Sequence, residues 1–564
     1  MTQAGALSDA PLTRGRQTGR APARPPSSAP GVTVEWVGPL LRQLDGVRSD
    51  VAGFVGFARR GDVQKPLRLG NQAEFDDVFG PPLDGFFLAH AVHGFFANGG
   101  DTCWVVRAAD RVRAACATAT TSGSAPLQFV ARSPGTWANG LRVEVQPTGG
   151  GFATVTLSAS DGRREVWQNL SVDSIRELRS DVGEHTISDS ALVTVTVAEG
   201  VTGAIDQATV VLDGGDDGLQ TTTLAHLTGW EADGSTDGSL GAALFDDIDE
   251  IGLVAIPDLV LRQPTPPPPV VVSPRCPDAA VATPVRTSGE ESDGLPGFQL
   301  DEIVAAQASL VGACEALRDR IALLQHPDPL ALPDAIVEWR DNFNSAFGAI
   351  YWPWLQIVDP ARPSEVLAVP PCGHVAGIVA RSDWAAGPHK PPANEVVVGA
   401  VGLTMAVDDA IHGAVNSQGV NAIRSLSGRG IRVLGARTTS NESDWRYLNV
   451  RRLMSQIERS VASYAEWLVF EPDDEMLRED LGRVIRRFLD DLWRAGALDG
   501  RTAAEAYSVN IEPTPAGGSE EGRLIVEIGV LPPWPAEFVI VRIDVTQVGA
   551  RVVPEGRGHN AFDR

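Results

Sequence analysis

Hydrophobic and polar positions alternate with a period of two in several short stretches of the chain, and this pattern predicts strands. In GVTVEWVG, residues 31–38, Val32, Val34 and Trp36 fall on one side. VAGFVGFA (51–58) and CWVVRAA (103–109) read as more apolar, buried strands, and PPLDGFFLAHAVHGFFANGG (81–100) between them reads as a helix closed by glycines. From about residue 124 to 215 the texture changes to PLQFVARS, GLRVEVQP, FATVTLSAS, REVWQNLSV, ALVTVTVAEG and ATVVLDGG, separated by Gly, Ser, Asn and Asp. That spacing predicts a β-rich module inserted into an α/β chain. IDEIGLVAIPD (248–258) predicts one more buried strand.

Longer periods predict three helices. After Asp301, the residues Ile303, Gln307, Leu310, Cys314, Leu317, Ile321 and Leu324 recur at steps of four and three, which places Cys314 in a core. A second helix covers 445–467 with Trp445, Leu448, Leu453, Ile457, Val461 and Tyr464. A third covers 475–493 with Leu477, Leu481, Val484, Phe488 and Leu492, capped by Asp473 or Asp474 and ended by Gly496. GHVAGIVA (373–380) has the pattern of a buried strand or close-packed turn. QPTPPPPVVVSP (263–274) predicts a stiff polyproline connector. Near the C-terminus, FVIVRIDVTQVGA (538–550) predicts an extended segment with Val539, Val541, Ile543 and Val545 on one face and Phe538, Ile540, Arg542 and Asp544 on the other.

Bulk composition narrows the function classes. At 564 residues the chain exceeds one hydrophobic core and predicts roughly three to four domain-sized units. The 72 acidic and 47 basic residues give a formal charge of −25, which repels phosphate backbones and anionic membranes, so no nucleic-acid partner is expected. Cys103, Cys116, Cys276, Cys314 and Cys372 are odd in number and lack C-x-x-C spacing, which predicts a reducing compartment and no disulfide framework. VVVGAVGLTMAV (396–407) falls short of the ~20 apolar residues that span a bilayer, so no direct membrane insertion is expected. Residues 1–30, with Arg14, Arg16, Arg20 and Arg24 among Pro, Ser and Gly, read as a disordered tail.

Only PPCGHVAGIVARSDWAAGPHKPPANE (370–395) gathers catalytic residue types, in Cys372, His374, Asp383, His389 and Lys390. On an extended strand, residues two apart face the same way, so Cys372 and His374 admit a thiolate and its base. A satisfied structural histidine is the blander reading. Zinc needs four placed donors, and the C-x-x-C, H-E-x-x-H and H-x-x-x-H elements are missing from the segment, so no metal is expected. LDGGDDGLQ (212–220) resembles a calcium loop through Asp213 and Asp217, but its twelfth position is Leu224 in place of a bidentate Glu, which leaves a surface turn. SGRGIRVLGAR (427–437) lacks phosphate-loop spacing. Arg451 and Arg452, like Arg483, Arg486 and Arg487, read as solvated helix faces in an acidic protein. The residues define no catalytic site and no cofactor site.

The order of several short stretches carries more. YWPWLQIVDP (351–360), PPCGHVAGIVARSD (370–383), PPAN (391–394), GVNAIRSLSGRGIRVLGARTTS (419–440), WRYLNVRRL (445–453), LVFEPDDEML (468–477) and PAEFVIVRI (535–543) together closely resemble the C-terminal half of contractile-tail sheath proteins of myophages and related bacterial injection systems. SPGTWANGLRVEV (133–145), WQNLSVD (167–173), LDGGDDG (212–218) and LVAIPD (253–258) extend the resemblance upstream. The chain departs from the family at Leu434, where Trp is frequent, and at Asp473, where Asn is frequent.

The resemblance implies a non-enzymatic structural subunit of α/β (α+β) multidomain fold. Such a subunit polymerises as stacked hexameric rings around an inner tube and contracts to drive the tube into a target envelope. Its partners are copies of itself, the inner tube protein, and baseplate and tail terminator or cap proteins. Assembly is expected in the bacterial cytoplasm, as part of a phage tail or tail-like particle. Patterning and resemblance together divide the chain into a tail (1–30), an N-terminal strand arm (31–38), the first part of the core (39–118) and an inserted β-rich outer domain (119–220). A return to the core (221–262), a Pro-rich excursion (263–298), the C-terminal core (299–537) and a C-terminal strand arm and tail (538–564) follow. Val32, Val34 and Trp36 in one arm, and Phe538, Val539, Val541, Ile543 and Val545 in the other, are the expected inter-subunit residues. Arg483, Arg486 and Arg487 are candidates for facing the tube. The remaining alternatives are another tail or baseplate structural protein, and a cysteine hydrolase using Cys372 and His374.

Overall fold

The computed structural model describes residues 44–554 apart from 160–161, 176–189, 199–200, 202, 231–237, 260–297, 361, 467–474, 513–524, 536–540 and 547–548. Val32, Val34, Trp36, Phe538 and Val539 lie outside the described residues, as does the Pro-rich stretch.

The frame is a nine-stranded sheet. Its strands are β1 (Val51–Gly56), β2 (Leu67–Leu69), β3 (Cys103–Arg107), β4 (Ile251–Ala255), β5 (Ile321–Leu324), β6 (Gly348–Trp352), β7 (Glu395–Val396), β8 (Val420–Leu426) and β9 (Gly430–Val433). They lie in the order β7-β9-β8-β6-β5-β4-β1-β3-β2. The pairs from β3 through β1, β4, β5 and β6 to β8 are parallel, while β2, β9 and β7 close the two edges antiparallel. Parallel strands are covered on both faces, which is why β1, β4, β5 and β6 are apolar throughout and buried at every position. The covering helices include α1 (Gln72–Phe79), α2 (Leu88–Ala97), α3 (Leu300–Leu317), α4 (Pro333–Arg340), α5 (Cys372–Ala386) and α6 (Asp409–Ser417).

Between β3 and β4 the chain makes two small antiparallel sheets, one of 208–211, 142–149, 152–158 and 164–170, the other of 118–120, 127–131 and 193–197. All six strands expected from alternation are present. Their inward residues, among them Phe129, Val143, Val155, Leu157 and Leu212, form a core of their own. A third core lies where α7 (Leu448–Ala465) and α8 (Glu475–Arg494) pack with the hairpin 507–512/525–530 through Leu453, Ile457, Leu481, Ile485, Phe488 and Leu489.

Three expectations change. GHVAGIVA is helix, inside α5, not strand. Ten of the fifteen residues of α5 are buried around its whole circumference, so no 3.6-residue stripe marks it. Gly373 and Gly377 let it approach α2 closely, since a Cβ on either would sit 2.2 Å from Ala91 O or 2.3 Å from Phe95 O. The helix after Asp301 ends at Leu317, with Arg318 left-handed (φ 59°), and Ile321 and Leu324 belong to β5. The chain from Val541 does not run on as one extended segment, because 541–546 pairs with 549–554 as a hairpin. Its reach falls to one six-residue strand, about 20 Å.

The α2–α5 crossing gives a paired test. Gly377→Ala is expected to lower stability by about 1–3 kcal/mol through overpacking. Gly312→Ala on α3, where a Cβ meets nothing within 4 Å, should raise it by about 0.5–1 kcal/mol. Equilibrium denaturation of the two variants measures both.

Candidate functional site

The sequence points first to 370–395, and the structure disassembles that site. Cys372 and His374 are two residues apart on a helix, about 200° around its axis, and so face different neighbours. Cys372 is 1% exposed and burial pushes its thiol up to about 12, leaving no thiolate near neutral pH. His374 packs on α2 where Gly94 has no side chain, a Cβ there lying 2.4 Å from His374 Nδ1. Burial holds His374 down to about 4. His389 offers its carbonyl to Asn449 Nδ2 at 2.9 Å, and Lys390 pairs with Glu395 at 2.7 Å. Among the described residues no group of three or more His, Cys, Asp or Glu is placed to hold a metal ion, and no helix is long and apolar enough to cross a membrane.

Parallel α/β sheets commonly bind ligands beyond the carboxyl ends of the strands, where the strand order reverses. Here that point lies between β1 and β4, and the protein fills it itself. Asp258, just past β4, accepts N–H groups from Phe57 after β1 (2.7 Å) and from Phe87 (2.5 Å) and Leu88 at the start of α2. A Cβ on Gly56 would lie 2.3 Å from its carboxylate. LVAIPD is thus a helix-capping device that closes the crevice.

Asp383 is the member of the segment with a far-reaching partner. Arg452 Nη1 donates to Asp383 Oδ1 at 2.7 Å, and Arg452 Nη2 donates to Asp383 Oδ2 and, at 2.9 Å, to Ser49 O. Ser49 Oγ donates to Asp383 Oδ2 at 2.7 Å. Both charged side chains are at most 4% exposed. Arg451 is buried as well, between the rings of Phe347 (4.7 Å) and Trp445 (4.6 Å), with Nη2 donating to Glu458 at 2.8 Å. Both arginines were expected on a solvated face. WRYLNVRRL instead carries two buried cations, which only their partners identify.

LDGGDDG is not a free surface turn. Asp217 pairs with Arg107 at 3.1 Å and accepts from Thr136 Oγ1 at 2.5 Å, while Arg107 Nη1 donates to Gly61 O (2.8 Å) and Pro134 O (2.7 Å). Arg107 is fully buried, and burial lowers it to about 10. Asn139 and Gly215 exchange two hydrogen bonds alongside, at 2.9 and 2.8 Å. SPGTWAN and LDGGDDG therefore form a clamp where the β-rich part joins the central sheet.

Arg483, Arg486 and Arg487 share the exposed face of α8. Arg483 pairs with Asp480 at 2.8 Å, and Arg486 lies 3.4 Å from Val509 O.

Residues 294–439 match the phage tail sheath protein central domain and residues 440–546 the phage tail sheath C-terminal domain, together less than half of the chain. A putative prophage major tail sheath protein of Pseudomonas aeruginosa (strain UCBPP-PA14) is 26% identical over 257 residues, 44% of this chain and 64% of the relative. The tail sheath protein of Salmonella phage ViI is 24% identical over 241 residues, 39% of this chain and 37% of that protein. The chain thus spans less than two thirds of these curated relatives' own length. In fold it is similar to the helical sheath of the anti-feeding prophage in the contracted state (TM-score 0.51, 20% identity, 92% of this chain and 99% of that chain). It is also similar to the contracted PVC sheath complex of an extracellular contractile injection system (TM-score 0.52, 18% identity, 92% and 98%). A sheath tail protein of Desulfitobacterium hafniense has the same fold (TM-score 0.53, 12% identity, 89% and 100%).

Burial raises Asp258 to about 7. Between its unfolded value near 3.8 and about 7, the folded protein holds a proton that the unfolded chain has released, so Asp258 removes stability as pH rises through that window. Relative to wild type, Asp258→Asn is expected to gain up to about 1.4 kcal/mol per pH unit between pH 4 and 7, measured by urea denaturation at several pH values.

Proposed function

We propose that this chain is a contractile tail sheath protein, a mechanical subunit which polymerises as stacked hexameric rings around an inner tube and contracts to drive that tube into a target envelope. The match of those residues to the sheath central and C-terminal domains carries the reading. The structure supports it in one respect: Cys372 and His374 are sealed in helix packing, and the sheet crevice is closed by Asp258.

In this reading the working parts are interfaces. The terminal arms, with Val32, Val34 and Trp36 at one end and Phe538, Val539, Val541, Ile543 and Val545 at the other, add strands to neighbouring copies. About six ladder hydrogen bonds at ~0.5–1.5 kcal/mol net each give a joint worth roughly 3–9 kcal/mol before ordering costs. Such joints persist while the bodies exchange contacts. The β-rich part faces outward, away from the tube, and the partners at the ends of the cylinder are baseplate and terminator or cap proteins.

Electron microscopy of the expressed chain tests the assembly. Long striated cylinders in narrow and wide forms are expected from the intact chain, and soluble folded subunits from a variant lacking residues 31–37. Discs or unstriated tubes identify a baseplate or tube component instead. Charge reversal at Arg483, Arg486 and Arg487 together is expected to weaken docking of the inner tube at least about tenfold while leaving the fold intact, since those side chains are exposed. Co-sedimentation with the tube measures it, and unchanged docking removes these residues from the tube face.

A further inference from the structure

Helix α7 carries a polar stripe that the apolar pattern hides. Asn449, Arg452, Gln456 and Ser460 are spaced three, four and four apart, within about 80° of arc on the helix surface. Asn449, Arg452 and Ser460 are at most 3% exposed, so the stripe faces protein and not water.

Its partners are residues 44–50, at the start of the described residues, and residues 531–535, ahead of the hairpin 541–546/549–554. Along 44–50, Val47 N donates to Ser460 Oγ (3.0 Å), Gln456 Nε2 donates to Val47 O (3.0 Å), and Arg452 reaches Ser49 O. Neighbouring Arg459 donates to Arg48 O at 3.2 Å, and Leu44 enters the core beneath α7. Along 531–535, Asn449 Nδ2 donates to Pro533 O at 3.2 Å, and Tyr447 packs edge-on against Trp534 with ring centroids 5.8 Å apart. Both segments are thus held through backbone atoms by one helix. The grips from Asn449 to Ser460 span about 16 Å of its axis.

We infer that α7 fixes the separation between the points at which the N-terminal and C-terminal segments leave the body, so that a load on one is delivered to the other through a single rigid element. The inference rests on the reading of the terminal segments as inter-subunit arms. Asn449, Gln456 and Ser460 are then positioning residues for assembly, and Arg452 ties the same helix to Asp383 of α5.

The test uses the full-length chain and a double-mutant cycle. Asn449→Asp removes the donor to Pro533 and to His389, Ser460→Ala removes the acceptor for Val47, and Ser460→Thr keeps a hydroxyl. Each of the first two is expected to raise the critical concentration for cylinder formation about tenfold, the worth of one or two hydrogen bonds. The double variant should be little worse than either single, because both break the same coupling. Ser460→Thr should assemble like wild type. Thermal unfolding of the subunits supplies the control, with additive shifts of a few degrees expected. Lowered thermal stability with unchanged assembly, or additive losses of assembly, overturns the inference. If removal of residues 31–37 leaves assembly normal, the arm reading itself fails. If that removal abolishes assembly while the α7 variants assemble normally, only the role of α7 fails.

Discussion

A guanidinium and a carboxylate taken out of water are tolerable only together, and the Arg452–Asp383 pair sets the terms for much of this molecule. Breaking such a pair from one side costs about 3–5 kcal/mol, because the remaining charge has no solvent to turn to. The pair ties α5 of the sheet layer to α7 of the C-terminal unit, and Ser49 joins it from the segment that leads into β1. Three stretches distant in sequence are thereby held in one arrangement. Apolar packing alone lets helices slide, whereas a bidentate ion pair fixes register as well as proximity.

The same economy closes the crevice that an open parallel sheet leaves at the reversal of strand order. In an open parallel sheet, the ends of strands around the reversal of strand order leave a hollow. Here the hollow holds the N-terminus of α2, with Asp258 satisfying its free N–H groups. The α2–α5 crossing, drawn tight at Gly94, Gly373 and Gly377, leaves no room for a substrate beside Cys372 or His374. The interior is closed at the point where parallel α/β sheets commonly hold a ligand.

What the sequence disclosed depended on how each element meets water. β1, β4 and the six strands of the inserted part were legible because short apolar runs or strict alternation identify strands wherever they occur. α5 was not, since burial on all sides erases the stripe by which a helix is recognised. α3 was read too long because Ile321 and Leu324 continue its spacing by accident, and a left-handed Arg318 ends the helix without a glycine to announce it. The partners of 370–395 were hidden for a related reason. Cys372, His374 and Asp383 suggest chemistry in a list, while the partners that occupy them lie on α2, α7 and residue 49. Arg451 and Arg452 look solvated until Trp445, Phe347 and Asp383 are placed around them. The polar stripe of α7 had a visible signal in its three-four-four spacing, but polar residues on a helix are by default assigned to solvent.

The inserted part enters and leaves through neighbouring bridges, Ala115 opposite Asp216 and Thr118 opposite Asp213, and closes its own core beyond them. Paired residues of this kind lie only about 4.5–5.5 Å apart. The chain between 118 and 213 thus leaves and rejoins the fold at closely spaced points, and Pro134, Thr136 and Asn139 within it hold it to the central sheet there.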